Sequence, residues 1–156
     1  LLPVVTIIIM ETFLAKMRRL QGVRKVLLLE EAWKAIAKEG MASYVKYLYK
    51  TVRKYFGEAI VVTQEVEDII SSPIVKESII NNADCKILLD QRKYRNKFDQ
   101  IQTLLGLTDK ERAQVLSINL SNDPARRYKE VFISLGGVQS AVYATEVSDE
   151  EYLVRP

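Results

Sequence analysis

The sequence predicts an α/β fold in which a mainly parallel sheet is flanked by helices and followed by a C-terminal β-hairpin. Two apolar runs without polar alternation, residues 26–29 and 59–63, are typical of strands covered on both faces of a parallel sheet. Segments with helical periodicity precede and separate these runs. Near the end of the chain, Gly136-Gly137 divides two segments of strand-like composition, which indicates a hairpin.

The helices are predicted from the spacing of apolar residues. This spacing from Thr6 to Leu20 indicates a largely buried helix, with Thr6 as its N-cap and Gly22 beyond its end. A second helix is predicted over Met41–Phe56, with Gly57 as its C-terminal stop. Shorter helices are predicted over residues 74–81, 96–105 and 109–117.

The remaining strands follow the same reasoning. Lys86–Leu89 is a third apolar run, and its place in the alternation of strands and helices predicts that it joins the parallel sheet through right-handed crossovers. The hairpin strands are predicted over 130–135 and 138–147, and 121–124 is predicted as a loop.

Length and composition limit the possible functions. The 156 residues, 48% of them hydrophobic, predict a single domain over 1–156. A net charge of +3 is too small to indicate a nucleic-acid or membrane partner. The absence of histidine excludes imidazole triads and histidine-ligated zinc, so chemistry must rest on carboxylates, amides, hydroxyls, lysine or arginine. The single cysteine, Cys85, has apolar neighbours that predict burial, and its lack of a disulfide partner indicates the cytoplasm.

Two adjacent carboxylates, Glu30 and Glu31, follow the first predicted strand. Ligands of open parallel sheets bind at the carboxyl ends of the strands. There, one carboxylate can hold Mg²⁺ through water while its neighbour polarises an attacking water. Gln64, at the end of the next predicted strand, supplies an amide that can contact a phosphate. The alternatives are that the acidic pair only opens a helix and that Gln64 is an ordinary turn residue.

Four segments in this order carry a family resemblance: Glu-Glu-Ala-Trp at 30–33, Arg-Lys-Tyr-Phe-Gly at 53–57, Thr-Gln at 63–64 and Ser-Pro-Ile-Val-Lys-Glu-Ser-Ile-Ile-Asn-Asn-Ala at 72–83. The chain resembles the C-terminal portion of the TraG-type ATPases of conjugative transfer, the motor family of type IV secretion systems. The resemblance extends over about residues 3–152.

This resemblance implies a RecA-like motor core that forms a hexamer and uses ATP and Mg²⁺ to drive pilus assembly and the transfer of DNA and protein. It further implies other secretion components as partners and a place at the cytoplasmic face of the inner membrane. Glu30 matches the first Walker B acid, which is commonly Asp in the family, and this departure puts the magnesium geometry in question. Glu31 matches the catalytic acid, Gln64 the sensor glutamine and Arg53 a trans-acting arginine finger. Other cations that could serve as the finger are Lys54, Arg92, Arg95, Arg126 and Arg127.

The sequence contains no Gly-x-x-x-x-Gly-Lys-Ser/Thr motif. We therefore expect the phosphate-binding loop to lie upstream of Leu1. Without its backbone amides and lysine, the 156 residues should bind ATP poorly and should not hydrolyse it.

Two other functions remain open at this point. The chain could be an interaction module that docks on secretion components through Tyr44, Tyr47 and Tyr49, unless these tyrosines pack in the core. It could also bind DNA through two basic stretches, unless these form an ordinary solvated surface. The basic residues in question are Lys16, Arg18, Arg19, Arg24, Lys25, Lys50, Arg53 and Lys54.

Overall fold

The computed structural model describes residues 2–30, 39–64, 79–120 and 128–154. The chain divides into two compact units, residues 1–83 and 84–156. The first contains a two-stranded parallel sheet and the second a three-stranded antiparallel sheet, each accompanied by helices. These elements confirm the predicted α/β class. The prediction of one domain over the whole chain stays a prediction.

The first unit is built on two parallel strands. They pair in register from Lys25 opposite Gly57 to Glu30 opposite Val62, which confirms the predicted parallel pair. The elements of this unit are α1 (Leu2–Arg19), β1 (Lys25–Glu30), α2 (Glu39–Thr51), a 3₁₀ turn (Val52–Tyr55) and β2 (Gly57–Val62).

The helices α1 and α2 cover one face of this sheet. Met10, Leu14 and Met17 of α1 recur at helical spacing and are buried, as are Val45 and Leu48 of α2. They pack with the alternate β1 residues Leu27 and Leu29 in one apolar cluster. Side chains therefore leave the two strands toward the helices at every second position.

The first predicted helix differs from the observed one in two ways. Thr6 lies inside α1 and not at its N-terminus, because the helical backbone already includes Leu2. The expectation of a largely buried helix is wrong for its N-terminal half, where the aliphatic side chains of Ile8 and Ile9 are exposed. Helical spacing identified the helix, but apolar residues on several sides of it do not show which of them are covered.

The other face of the parallel sheet is exposed. Val26 and Leu28 of β1 are 53% and 57% exposed, and Ile60 and Val62 of β2 are 43% and 39% exposed. The sequence pattern indicated cover on both faces, and among the described residues cover is found on the α1–α2 face only. An apolar face of this kind is a surface on which a further part of a molecule can pack.

The end of α2 is not formed as predicted. The helix ends in the 3₁₀ turn, and the residue that stops it is Phe56, in the left-handed backbone conformation with φ 54°, and not Gly57. Gly57 begins β2, and a Cβ atom there would lie 2.6 Å from Val52 Cγ2 and 3.0 Å from Met17 Sδ. The glycine is required by this close approach of β2 to the helices and not by a positive φ.

Lys25 joins the ends of two helical segments. Its ammonium Nζ donates a hydrogen bond of 2.7 Å to the carbonyl of Tyr55 and one of 3.4 Å to the carbonyl of Met17. Both carbonyls lie in last turns, where backbone acceptors lack partners within the helix and a cation is favoured. Sequence reasoning had placed Lys25 among possible DNA-binding residues, whereas the structure uses it to hold α1 and the 3₁₀ turn against β1.

The second unit contains the order β3–β4–β5, in which both pairs are antiparallel. The third predicted strand exists but pairs with β4, so the prediction that it joins the parallel sheet is wrong. A four-residue apolar run specifies neither direction nor partner. The elements are β3 (Cys85–Leu88), a 3₁₀ helix (Arg92–Lys97), α3 (Phe98–Leu105), α4 (Asp109–Ser117), β4 (Tyr128–Leu135), β5 (Gln139–Glu146) and α5 (Asp149–Val154).

The hairpin is confirmed, and Cys85 is not where we expected it. Gly136 and Gly137 both have positive φ, and the Val138 amide donates to the Leu135 carbonyl at 3.1 Å, which closes the turn between β4 and β5. Cys85 is exposed at the start of β3. The predicted loop 121–124 and most of the predicted helix 74–81 lie outside the described residues.

Helix α4 is fixed to β4 at both ends. At its start, Thr108 and Glu111 form a capping box, and the second carboxylate oxygen of buried Glu111 accepts from Ser134 of β4 at 3.1 Å. At its end, the backbone amides of Asn119 and Glu130 each donate to the other residue's side chain, at 2.7 and 2.9 Å. The capping box stabilises the first turn of α4, and the bonds to Ser134 and Glu130 hold the helix on the sheet.

We expect Lys25→Met to lower the free energy of unfolding by about 1–3 kcal/mol, because two carbonyls lose a charged donor in a partly buried position. Urea denaturation followed by circular dichroism measures this. Lys16→Met, at an exposed position of α1, is the matched control and should change stability by less than about 0.5 kcal/mol. Equal effects of the two substitutions would contradict the proposed role of Lys25.

Glu111 should give the second unit an acid-sensitive contribution to stability. Burial raises the pKa of Glu111, but the hydrogen bonds from Thr108 and Ser134 outweigh it, so the pKa lies below its ordinary value. The contribution is therefore present above the unfolded-state pKa of about 4.3 and is lost as pH falls through the folded-state pKa.

Glu111→Gln tests this prediction through unfolding at pH 7 and at acidic pH. We expect a loss of about 1–3 kcal/mol at pH 7 and a smaller difference from the native sequence in acid. Glu146→Gln, in the exposed part of β5, is the control and should be near neutral at both pH values. A difference for Glu111→Gln that stays constant with pH would show that its carboxylate is not the group responsible.

Candidate functional site

The structure brings Glu30 and Gln64 to the same edge of the parallel sheet. Glu30 is the last residue of β1 and pairs with Val62, the last residue of β2, and Gln64 follows two positions later. Both side chains are exposed. This edge is the carboxyl end of both strands, where ligands of parallel sheets bind. Glu31 lies outside the described residues.

Glu30 also lies on the exposed apolar face of the sheet. It shares the even-numbered face of β1 with Val26 and Leu28, and in-register pairing places Ile60 and Val62 beside them. At the opposite end of this face, Arg24 donates to Glu58 through Nε at 3.0 Å and Nη2 at 2.5 Å. The face therefore runs from an exposed ion pair, across four aliphatic side chains, to the carboxylate of Glu30.

Arg53 lies at the other end of β2. It belongs to the 3₁₀ turn that precedes the strand, and the six residues of β2 span about 20 Å. This distance exceeds the reach of an arginine side chain, so Arg53 cannot contact Glu30 or Gln64 of its own chain. The structure brings Glu30 and Gln64 together and holds Arg53 apart from them.

The other candidate arginines differ in their surroundings. Arg92 donates to Asp90 through Nε at 2.8 Å and Nη2 at 2.5 Å, and this hydrogen bond holds the pKa of Asp90 below its ordinary value. Arg95 is exposed in the second unit, and Lys54 is exposed in the first. Arg126 and Arg127 lie outside the described residues.

The two basic stretches of the first unit converge at the amino edge of the sheet. Lys25 donates to a carbonyl near the end of α1 and to a carbonyl at the end of the 3₁₀ turn. These shared contacts bring the end of α1, with Arg19, near the segment that carries Arg53 and Lys54. Arg24 and Lys25 themselves are engaged in contacts within the unit. Sequence patterns do not show that Arg24 and Lys25 make these contacts.

The three tyrosines of α2 do not form one exposed group. Tyr44 and Tyr49 pack against the core of the first unit, and burial raises the pKa of Tyr49 to about 12. Tyr47 is 43% exposed, and its hydroxyl accepts a hydrogen bond of 3.0 Å from Arg18. Core packing therefore accounts for two of the three tyrosines that sequence reasoning had considered for docking.

The expected magnesium ion is compatible with the residues at the carboxyl edge. Among the described residues, no three His, Cys, Asp or Glu side chains are grouped to hold a metal. Mg²⁺ in nucleotide sites needs only one or two carboxylates, because water and phosphate oxygens supply its other ligands. The exposed carboxylate of Glu30 meets that requirement.

Within the described ranges, no helix has the length and hydropathy to cross a membrane.

Comparison with known proteins identifies the family. The model of the TraG P-loop domain family matches residues 1–155. No curated protein matches the chain significantly. Among solved structures, VirB4 of Thermoanaerobacter pseudethanolicus is similar, with a TM-score of 0.59 and 25% identity over 87% of this chain. The chain spans 34% of the length of that VirB4 chain. With nearly all of its residues matched by the family model, the chain belongs to the TraG P-loop domain family.

Proposed function

We propose that this chain is the part of a type IV secretion motor ATPase that carries the hydrolytic side chains. The observation that carries the proposal is the meeting of Glu30 and Gln64 at the carboxyl edge of the parallel strands. Family membership and the similarity to VirB4 support it. ATP is the proposed substrate and Mg²⁺ the proposed cofactor.

Each proposed site residue has a role. Glu31 is the general base that orients and deprotonates the attacking water. Glu30 holds Mg²⁺ through water, where its longer side chain replaces the usual aspartate, and the ion neutralises charge on the phosphates. Gln64 donates its amide to the γ-phosphate and so links nucleotide state to the end of β2. The exposure of Glu30 and Gln64 leaves both accessible to a ligand.

The phosphate-binding loop is proposed to come from outside these 156 residues. The sequence has no Walker A motif, and the exposed face of Val26, Leu28, Ile60 and Val62 offers a surface for the segment that carries it. Because this face ends at Glu30, a segment packed on it would hold phosphates beside the carboxylate. The 156 residues alone should bind ATP weakly and should not turn it over.

Arg53 is proposed to act on the nucleotide of a neighbouring subunit. Its separation from Glu30 by the length of β2 supports a role outside its own site, and its exposure permits contact with another copy. This role requires a ring, for which we propose a hexamer. We also propose that the motor works with other secretion components and transfers DNA. Its proposed location is the cytoplasmic face of the inner membrane.

The second candidate function is direct binding of DNA at the amino edge of the first unit. The observation that favours it is the convergence of the last turn of α1 with the segment that carries Arg53 and Lys54. Cations at helix ends are also favoured by the helix dipole alone, which is why we place this function second. Such binding would weaken steeply with added salt.

Glu31→Gln should abolish ATP turnover by the motor while nucleotide affinity changes little. A missing general base affects the chemical step and not the ground-state complex. Steady-state hydrolysis and equilibrium binding of a fluorescent nucleotide measure the two quantities. Glu11→Gln, at an exposed position of α1, is the control and should leave both unchanged. Turnover by Glu31→Gln at the native rate would return the acidic pair to the role of opening a helix.

Arg53→Ala should lower turnover by on the order of 10³-fold and nucleotide affinity far less, because a finger arginine neutralises charge that develops in the transition state. Lys54→Ala, the adjacent exposed cation, is the matched control. A further test mixes Arg53→Ala subunits with Glu31→Gln subunits in one assembly. Activity should return at those subunit interfaces where Arg53 of one subunit and Glu31 of its neighbour are both native. Mixtures that stay as inactive as either parent at every ratio would contradict action in trans.

A further inference from the structure

A cleft in the second unit combines an apolar floor with arginine side chains. It has a volume of about 360 Å³ and lies between the 3₁₀ helix Arg92–Lys97 and α4. Its floor is formed by Ala113 and Leu116, three positions apart on α4, and by Leu120, which follows the end of the helix. The buried residues Val115 and Ile118 show that the core side of α4 is a different one. The helix thus presents a second apolar stripe, which is open.

The two arginines at this cleft differ in whether their side chains have partners. Arg112 forms an ion pair with Asp99 and donates to Gln102 Oε1 at 3.1 Å. The carboxylate of Asp109, which also lines the cleft, accepts a hydrogen bond of 2.9 Å from Gln102. The guanidinium of Arg95, on the opposite wall, makes no hydrogen bond or ion pair within the described residues. An occupant that carries a carboxylate next to aliphatic side chains would match both features of the cleft.

The same unit supplies such a segment in α5. Leu153 and Val154 are 83% and 82% exposed, and Glu150 lies three and four positions before them, on the same helical face. Ser148 begins the helix by accepting from the Glu151 amide at 3.2 Å. The segment is therefore a short helix with two aliphatic anchors and an exposed carboxylate, which is the pattern of helices that bind in apolar grooves.

We infer that α5 of one chain docks in this cleft of a second copy of the same chain, with Leu153 and Val154 on the apolar stripe and Glu150 beside Arg95. Within one copy the cleft is open and both aliphatic side chains are exposed, so the two surfaces do not occupy each other. A contact between two different surfaces of identical chains repeats head to tail, and it closes into a ring when the rotation allows. The inference goes beyond the proposed ATPase function and does not depend on it.

Directed cross-linking between separate chains tests the contact. In a Cys85→Ser background, which removes the single, exposed cysteine, a chain with Ala113→Cys is mixed with a chain with Val154→Cys under mild oxidation. We expect a disulfide-linked heterodimer on a non-reducing gel, formed faster as concentration rises. Lys110→Cys, an exposed position on α4 outside the cleft, replaces Ala113→Cys in the control and should cross-link at least about tenfold less.

Charge reversal supplies the second measurement. Sedimentation velocity should show that Arg95→Glu and Glu150→Arg each weaken self-association by roughly tenfold, and that the two substitutions in one chain restore it in part. Lys110→Glu should leave association unchanged.

Three results would overturn the inference. One is a cross-link as efficient from Lys110→Cys as from Ala113→Cys. Another is self-association that none of the charge reversals alters. The third is a chain that stays monomeric at millimolar concentration.

Discussion

The parallel pairing of β1 with β2 determines where the candidate site residues of the first unit lie. Because Lys25 is opposite Gly57 and Glu30 is opposite Val62, both strands end at the same edge. A shift of the register by one residue would turn Glu30 and its aliphatic neighbours toward α1 and α2, where a carboxylate has no partner. The apolar contacts of Leu27 and Leu29 with the helices hold this register. The position of the carboxylate is therefore a consequence of core packing.

The two edges of the parallel sheet have different physical tasks. At the amino edge, Lys25 satisfies helix carbonyls, and Gly57 permits the close approach of Val52 and Met17. At the carboxyl edge, Glu30 and Gln64 are exposed. Side chains at the first edge contribute to stability, whereas those at the second remain accessible to a ligand. This separation is what we expect of a scaffold that carries a site at its strand ends.

Sequence patterns predicted the elements better than their partners. Helical spacing located α1, α2 and α4, and the apolar runs located β1 and β2. The direction of β3 could not be predicted, because a run of four residues fits either sheet and its pairing with β4 depends on contacts distant in sequence. The role of Lys25 was likewise hidden, since the carbonyls it binds come together only when α1 and the 3₁₀ turn pack.

The candidate site was predictable in part, because two of its residues follow apolar runs that were recognised as strands. Glu30 and Gln64 each follow an apolar run, so their shared edge follows from a parallel pairing of neighbouring strands. The exposure of one face of that sheet was not predictable. Apolar residues on both faces predict that both are buried, but they do not show which element packs on each face. The surroundings of the arginines also needed the structure, since Arg92 and Arg95 look alike in sequence but only Arg92 is held by a carboxylate.

Hydrogen–deuterium exchange of the intact motor, with and without Mg²⁺ and a non-hydrolysable ATP analogue, tests the central claim most directly. The claim is that nucleotide binds at the carboxyl edge, against Glu30 and Gln64. The account predicts that nucleotide slows exchange in peptides covering residues 28–31 and 61–64, while peptides of the β4–β5 hairpin stay unchanged. Slower exchange confined to segments outside β1 and β2, with these two peptides unaffected, would contradict it.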